Sequence, residues 1–245
     1  MVINVHGGHN RIVPGASGYL DEVTEDRAVT AQVIAKLRAL GHTVFDCTDD
    51  SGRTQGQNLA NIVHACNAHA ADLDVSIHLN SGGGTGTEVL VYSDTGAAAG
   101  YAVKICAAIS ELGYRNRGVK ERKNLYVLRR TTAPALLVEC CFVDSASDAQ
   151  RFDADKMAAA IVRGITGQTA AQTGAAPAQQ TGYHVRITAS TLNVRRDHSA
   201  SSAVATQVRR GEVYTIVDEY NNGGTMWGKL KSGAGWIALK YTQSV

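Results

Sequence analysis

The sequence predicts an α/β sheet with helices on both faces, followed by a small all-β unit. Three observations point there. Up to about residue 168, short apolar runs alternate with segments of helical period. An uncharged stretch, TAAQTGAAPAQQTG (169–182), then interrupts the pattern. Beyond it the chain breaks into brief strand-like runs divided by turns.

Taken in order, VINV (2–5) is a short apolar strand. Val29, Val33, Leu37 and Leu40 recur at helical spacing and stop at Gly41, a natural helix end. HTVFDC reads as a strand, NLANIVHACNAHA as a helix and LDVSIHL as a strand. EVLVY is a further strand, AAGYAVKICAAISEL a helix and ALLVECCF a buried strand, and DADKMAAAIVRGI closes the unit as a helix. The stretch 169–182 has no charge and nothing larger than Gln, so it cannot bury an apolar face and reads as a flexible tether. The domains are therefore 1–168, a linker at 169–182, and 183–245. In the last, YHVRITA, TLNVR, EVYTIVDEY, MWGKLK and GWIALKY are strands with Gly-Gly and Ser-Gly turns between them, and both tryptophans, Trp227 and Trp236, fall there.

Composition narrows the function classes. The chain is 44% hydrophobic and 19% charged, ordinary for a globular protein, and no run approaches the ~18 apolar residues of a membrane span. Residues 183–245 hold eight Lys and Arg against four Asp and Glu in a chain of net charge +2. That modest surplus suits a polyanionic surface and is too small for nucleic acid binding. Cys47, Cys66, Cys106, Cys140 and Cys141 form no C-x-x-C pair, so reduced, buried thiols are expected, without a disulfide framework or a thiolate zinc site.

In open α/β sheets, functional sites collect at the carboxyl ends of strands. That rule selects His9 after the first strand, His78 ending LDVSIH, and Glu139 ending ALLVE. A carboxylate after Leu136, Leu137 and Val138 is costly to bury unless a partner or a metal compensates it. Two imidazoles and a carboxylate would leave a catalytic zinc ion one position open to water. His6 competes with His9 as the first imidazole. Glu22 and Glu25, both in the first turn of a helix, are alternative carboxylates, and either also interacts favourably with the helix N-terminus.

GHN (8–10), the Glu22 helix running to LRALGHTV, SIHLN, GTGTEVLVY, NRGVK and LLVECCF follow one another in the order found in a known family. Over nearly all of residues 1–168 the chain resembles the zinc-dependent N-acetylmuramoyl-L-alanine amidases of the type 3 family, found in phage endolysins and bacterial autolysins. The resemblance implies His9, Glu22 and His78 as ligands of one Zn²⁺ per chain and Glu139 as the catalytic glutamate. It places His6 beside the metal without ligating it. Glu22 is preferred to Glu25 because the family's glutamate ligand lies nineteen residues before the glycine that ends its helix, here Gly41. Glu88 and Asn80 match positions near the site, with structural hydrogen bonds expected of them. Arg117 is expected to meet a substrate carboxylate or to hold its loop. LNVRRD, VRRGEVYTIV and WGKLKSGAGWIALKY resemble bacterial SH3-like modules, which implies a small SH3-like barrel that attaches to cell walls.

The implied function is a peptidoglycan hydrolase, of phage endolysin type, that cuts the amide between N-acetylmuramic acid and L-alanine. Its partners would be peptidoglycan and a cell-wall polymer, with no nucleic acid and no membrane span. The strand-like start of the chain lacks the basic and apolar regions of a secretory leader, so synthesis in the host cytoplasm and action at the wall after release are expected. A bacterial autolysin of the same chemistry is the near alternative. Rivals from other classes are a cysteine hydrolase built on Cys140 or Cys141 and a non-catalytic wall-binding protein.

Overall fold

The computed structural model describes residues 1–168, 183–196, 198–222 and 225–244, so the expected linker at 169–182 lies outside the described residues. The chain divides into two compact units, residues 1–171 and 172–245.

The first unit is built on a six-stranded sheet. Its strands are β1 (Val2–Gly7), β2 (Thr43–Asp46), β3 (Leu73–Asn80), β4 (Thr87–Val91), β5 (Asn116–Glu121) and β6 (Ala135–Phe142), in the order β2-β1-β3-β6-β4-β5. Every neighbouring pair is parallel except β4–β6, which is antiparallel, so the sheet is mixed. The six residues between β3 and β4 are too few for a parallel crossover, which needs a dozen or more, and β4 accordingly runs the other way.

Helices α1 (Glu22–Ala39), α2 (Gln55–Asn67), α3 (Ala99–Ser110), α4 (Tyr126–Arg130), α5 (Ala146–Arg151) and α6 (Ala154–Thr166) complete the unit. Asp21 caps α1 by accepting the N–H of Thr24, and Glu22 and Glu25 in the first turn favour the positive end of its dipole. Val29, Val33 and Leu37 bury the inner stripe of α1, and Gly41 turns the chain out of it at φ +83°. α1, α3 and α6 share one core with Ile3, Val5, Val75, Ile77, Val89, Val91, Leu136 and Val138. Ile62, Val63 and Cys66 of α2 and Val127 and Leu128 of α4 pack on Leu90 and Leu137. Side chains alternate across strands, so these two sets lie on opposite faces, and helices cover both.

Sequence periodicity misses three elements here. β5 is the polar edge strand NRGVKE, while α4 and α5 are too short to show a helical period.

The second unit is a seven-stranded antiparallel sheet. Its strands are β7 (Tyr183–Ile187), β8 (Thr191–Arg195), β9 (Val204–Arg209), β10 (Val213–Asn222), β11 (Thr225–Leu230), β12 (Trp236–Ala238) and β13 (Thr242–Ser244), in the order β13-β7-β10-β11-β12-β8-β9. Val185, Ile187, Leu192, Val194, Val208, Ile216, Leu230 and Ile237 form its own core. β9 escapes the sequence reading because four of its first five residues, Val204–Gln207, are exposed and only Val208 is buried. Trp227 is buried at 5% exposure and serves packing; exposed aromatic area comes from Tyr183, Tyr220 and Tyr241. No helix among the described residues is long and apolar enough to cross a membrane.

Candidate metal centre

β1, β3 and β6 are adjacent and parallel, so their carboxyl ends lie side by side at one edge of the sheet. His9 follows β1, His78 sits near the end of β3, and Glu139 pairs in register with His78 on β6. The first turn of α1 brings Glu22 over the same edge. His9, Glu22 and His78 offer ligand atoms that all lie within 4.8 Å of one another. Glu25 and His6 are outside this group.

The geometry fits a small cation. His78 Nδ1 lies 3.1 Å and His9 Nε2 3.7 Å from Glu22 Oε1. These distances bracket the ~3.4 Å ligand–ligand edge of a tetrahedron with bonds of ~2.1 Å. The two rings are 5.2 Å apart and nearly perpendicular, so both can turn a nitrogen toward one point. Backbone N–H groups fix the carboxylate: Leu79 donates to Oε1 at 3.1 Å and Ala16 to Oε2 at 2.8 Å. Two glycines make room. A Cβ on Gly8 would lie 1.9 Å from Cε1 of His78, and one on Gly15 would lie 2.1 Å from Oε2 of Glu22. Gly8 in HGGH is therefore a position where the backbone must touch an imidazole face.

The protonation states of His9 and Glu22 suit metal binding, while His78 must give up a proton. Burial and the charge of His78 lower the His9 pKa, keeping the ring neutral. Burial pushes Glu22 up, but the hydrogen bond and charge of His78 and the Ala16 N–H outweigh it, so the carboxyl stays below its usual range. Burial pulls His78 down, yet the hydrogen bond to Glu22 and the charges of Glu139, Glu22 and Asp26 leave it above normal. A metal must displace that proton, so its binding weakens as pH falls.

Side chains that the sequence reading left unassigned brace the His9 loop. Asp26, one turn beyond Glu22 on the same helix face, accepts the Gly8 N–H at 3.1 Å. Burial pushes its carboxyl up to about 6 against the pull of Arg27. Arg27 donates to the His9 carbonyl and ties it to Asp50 at 2.8 Å. Asn10 accepts the N–H groups of Ile12 and Val13 and donates to the Gly52 carbonyl at 2.9 Å. Gly52 is held in turn by Asp49, which also accepts from Asn58 and Asn61 of α2. The Glu22–Asp26 spacing is the one signal that could have pointed to part of this brace. His6 is 1% exposed, close to the Gly7 carbonyl and Ser76 Oγ, and burial lowers its pKa to about 3, so it stays neutral beneath the loop.

Glu139 is partly exposed, yet its Oε2 is closed off from solvent and has no hydrogen-bond partner. Burial, with the charges of Glu22 and Glu88, pushes its carboxyl up to about 7 against the pull of His78. An acid with that pKa can take and return a proton near neutral pH. Cys140 and Cys141 are fully buried and burial drives both thiols upward, leaving no thiolate for a cysteine hydrolase.

Comparison with known proteins adds independent findings. A family model described as N-acetylmuramoyl-L-alanine amidase matches residues 1–167. The sporulation-specific N-acetylmuramoyl-L-alanine amidase of Bacillus subtilis (strain 168) is 32% identical over 209 residues, spanning 83% of this chain and 80% of that protein. An uncharacterized protein of Clostridium perfringens (strain 13 / Type A) is 38% identical over 154 residues, and the match spans 45% of its length. Among solved structures, the catalytic domain of the CD27L endolysin, which targets Clostridia Difficile, superposes with a TM-score of 0.64 at 26% identity, covering 69% of this chain and 98% of that one. The catalytic domain of CwlV from Bacillus (Paenibacillus) polymyxa gives 0.60 at 28% identity, covering 68% and 96%.

Proposed function

The chain belongs to the N-acetylmuramoyl-L-alanine amidase family, and from that premise we propose that it hydrolyses the amide joining N-acetylmuramic acid to the L-alanine of the stem peptide. The observation that carries the reading is the juxtaposition of the His9–Glu22–His78 group with a partnerless carboxylate, Glu139, in register on the next strand. His9, Glu22 and His78 would hold one Zn²⁺. When bound, zinc supplies a Lewis acid that lowers the pKa of water to ~7 and steadies charge on the scissile carbonyl oxygen. Glu139 takes the attacking water's proton on its carboxylate and passes it to the leaving amine nitrogen. The brace around His9 keeps the ligand loop in place through turnover.

The endolysin use of this chemistry rests on the likeness to an endolysin catalytic domain over nearly all of that domain. Wall remodelling by a bacterial amidase is the alternative, since the sporulation-specific relative is similar over most of its length.

We further propose that 169–182 tethers a catalytic domain, 1–168, to an SH3-like wall-binding domain, 183–245. Each unit has its own apolar core, which supports independent folding. Residues 1–168 alone are expected to cleave soluble muropeptides at the full-length rate and to lose up to ~10²-fold on intact walls, where tethering raises the local enzyme concentration. Fluorescent 183–245 should coat susceptible walls without lysing them, with retention falling as salt rises. No retention on walls that the full chain digests would end the targeting role.

A further inference from the structure

Three features beside the metal centre remain unused by the reaction: Glu88, Arg117 and the ring of Phe142. Glu88 on β4 stands directly opposite Glu139 in the antiparallel β4–β6 register, and Glu139 is in register with His78. Directly opposed residues share a sheet face, so these three side chains form one row running from the metal group toward the β5 edge.

Arg117 extends that row by one strand. Thr87 pairs with Asn116 and Val89 with Val119, so Arg117 and Gly118 together face Glu88 alone. This is a bulge, and Gly118 takes φ +78° to make it. Its effect is to aim Arg117 at Glu88: Nε donates to Glu88 Oε2 at 2.8 Å. Glu88 is fixed from its other oxygen by Asn80 Nδ2 at 3.1 Å. The guanidinium also lies over the Phe142 ring, 4.9 Å from its centroid, and that ring is backed by Gly84, where any Cβ would collide with it. The slip in pairing between His78/Glu139 and Asn80/Phe142 brings Phe142 under this row.

The guanidinium is thus locked by one hydrogen bond and one stacking contact. Its two amino groups have no acceptor among the described residues, and its side chain keeps 31% of its surface exposed. An arginine that served only to neutralise Glu88 would use its two-pronged edge; here that edge is left free. Glu88 also restrains it from Glu139, whose charged neighbours are His78, Glu22 and Glu88.

We propose that Arg117 is a specificity-determining residue whose free amino edge binds a carboxylate of the stem peptide, on the residue that follows L-alanine. This rests on the amide cleavage proposed above. The muramyl side offers no such group, because its one carboxyl is consumed in the scissile amide. Distance favours the peptide side as well. Strands are ~4.8 Å apart, which puts the Arg117 backbone ~10 Å from that of Glu139. An extended peptide advances ~3.5 Å per residue, so the residue after L-alanine falls within reach of the guanidinium.

The test uses the full chain and paired synthetic ligands starting with L-alanine, whose second residue bears either a free carboxylate or the carboxamide. Peptide binding is measured by calorimetry, and kcat and KM are measured on the matching muropeptides. The wild-type chain is expected to favour the carboxylate form by ~10–100-fold, mainly in KM. Arg117→Ala should erase that preference by losing only the carboxylate form, with Arg117→Lys recovering part of it. Arg117→Gln, which keeps a donor toward Glu88, should behave like Arg117→Ala. No preference in the wild-type chain, or equal losses on both forms in the variants, would overturn the assignment. Should neither muropeptide be cut at the amide while the peptide preference persists, the proposed reaction fails and the carboxylate subsite stands.

Discussion

A Glu139→Gln chain is expected to keep its metal and lose ~10²–10⁴-fold in turnover, the usual cost of removing a general acid–base group. Glutamine preserves the shape of the side chain and removes only its ability to take a proton. Metal content measured beside kcat separates the two effects, and near-normal activity would rule Glu139 out as the base. The same residue sets an acid limb. Only its ionised form accepts a proton, so kcat/KM of the wild-type chain should rise with pH to a plateau, the charge of the bound metal drawing this limb below the value of about 7 that the metal-free carboxyl carries. Stability should move the opposite way. The folded chain binds this proton more tightly than the unfolded chain, whose carboxyl is near 4.5, so metal-free stability falls as pH climbs from about 4.5 to 7. Above that window Glu139→Gln should be the more stable chain by ~1–3 kcal/mol, and the advantage should vanish below about pH 4.5. Thermal midpoints of both metal-free chains across pH give the comparison.

His9→Ala should abolish stoichiometric metal and with it activity. His6→Ala removes a buried neutral ring beneath the loop and should weaken metal binding by only ~10–100-fold. Gly8→Ala should resemble His9→Ala although it removes no ligand, since its Cβ would occupy the place of the His78 ring. Metal analysis of the three purified variants decides. Full metal in His9→Ala with loss in His6→Ala would exchange the roles of the two histidines.

Much of the architecture was legible because long apolar runs impose it. Val29, Val33 and Leu37 announce α1, and the blocks LDVSIHL and ALLVECCF announce central strands buried on both sides. The strand-end positions of His9, His78 and Glu139 could be read as well, since sites gather at that edge of such sheets. The choice between Glu22 and Glu25 could not be made from helical period. Both lie in the first turn; the family's spacing to Gly41 selects Glu22, and in the fold its Oε1 lies between the two rings while Glu25 stands apart. Nor could the brace be read. Arg27 meets the His9 carbonyl and Asn10 meets Gly52 across 42 positions of chain, through polar contacts that leave no periodic trace. The bulge at Arg117 depends on how β4 and β5 pair, which composition does not encode.

The central claim is that this site hydrolyses the amide between N-acetylmuramic acid and L-alanine. Mass spectrometry of purified peptidoglycan digested by the full chain tests it most directly. The expected products are stem peptides bearing a new free amine on L-alanine, beside glycan strands that keep intact glycosidic bonds and bare lactyl carboxylates. New reducing ends on the sugars, or new termini within the stem peptide or its cross-links, with the lactyl–alanine amide left whole, would contradict it.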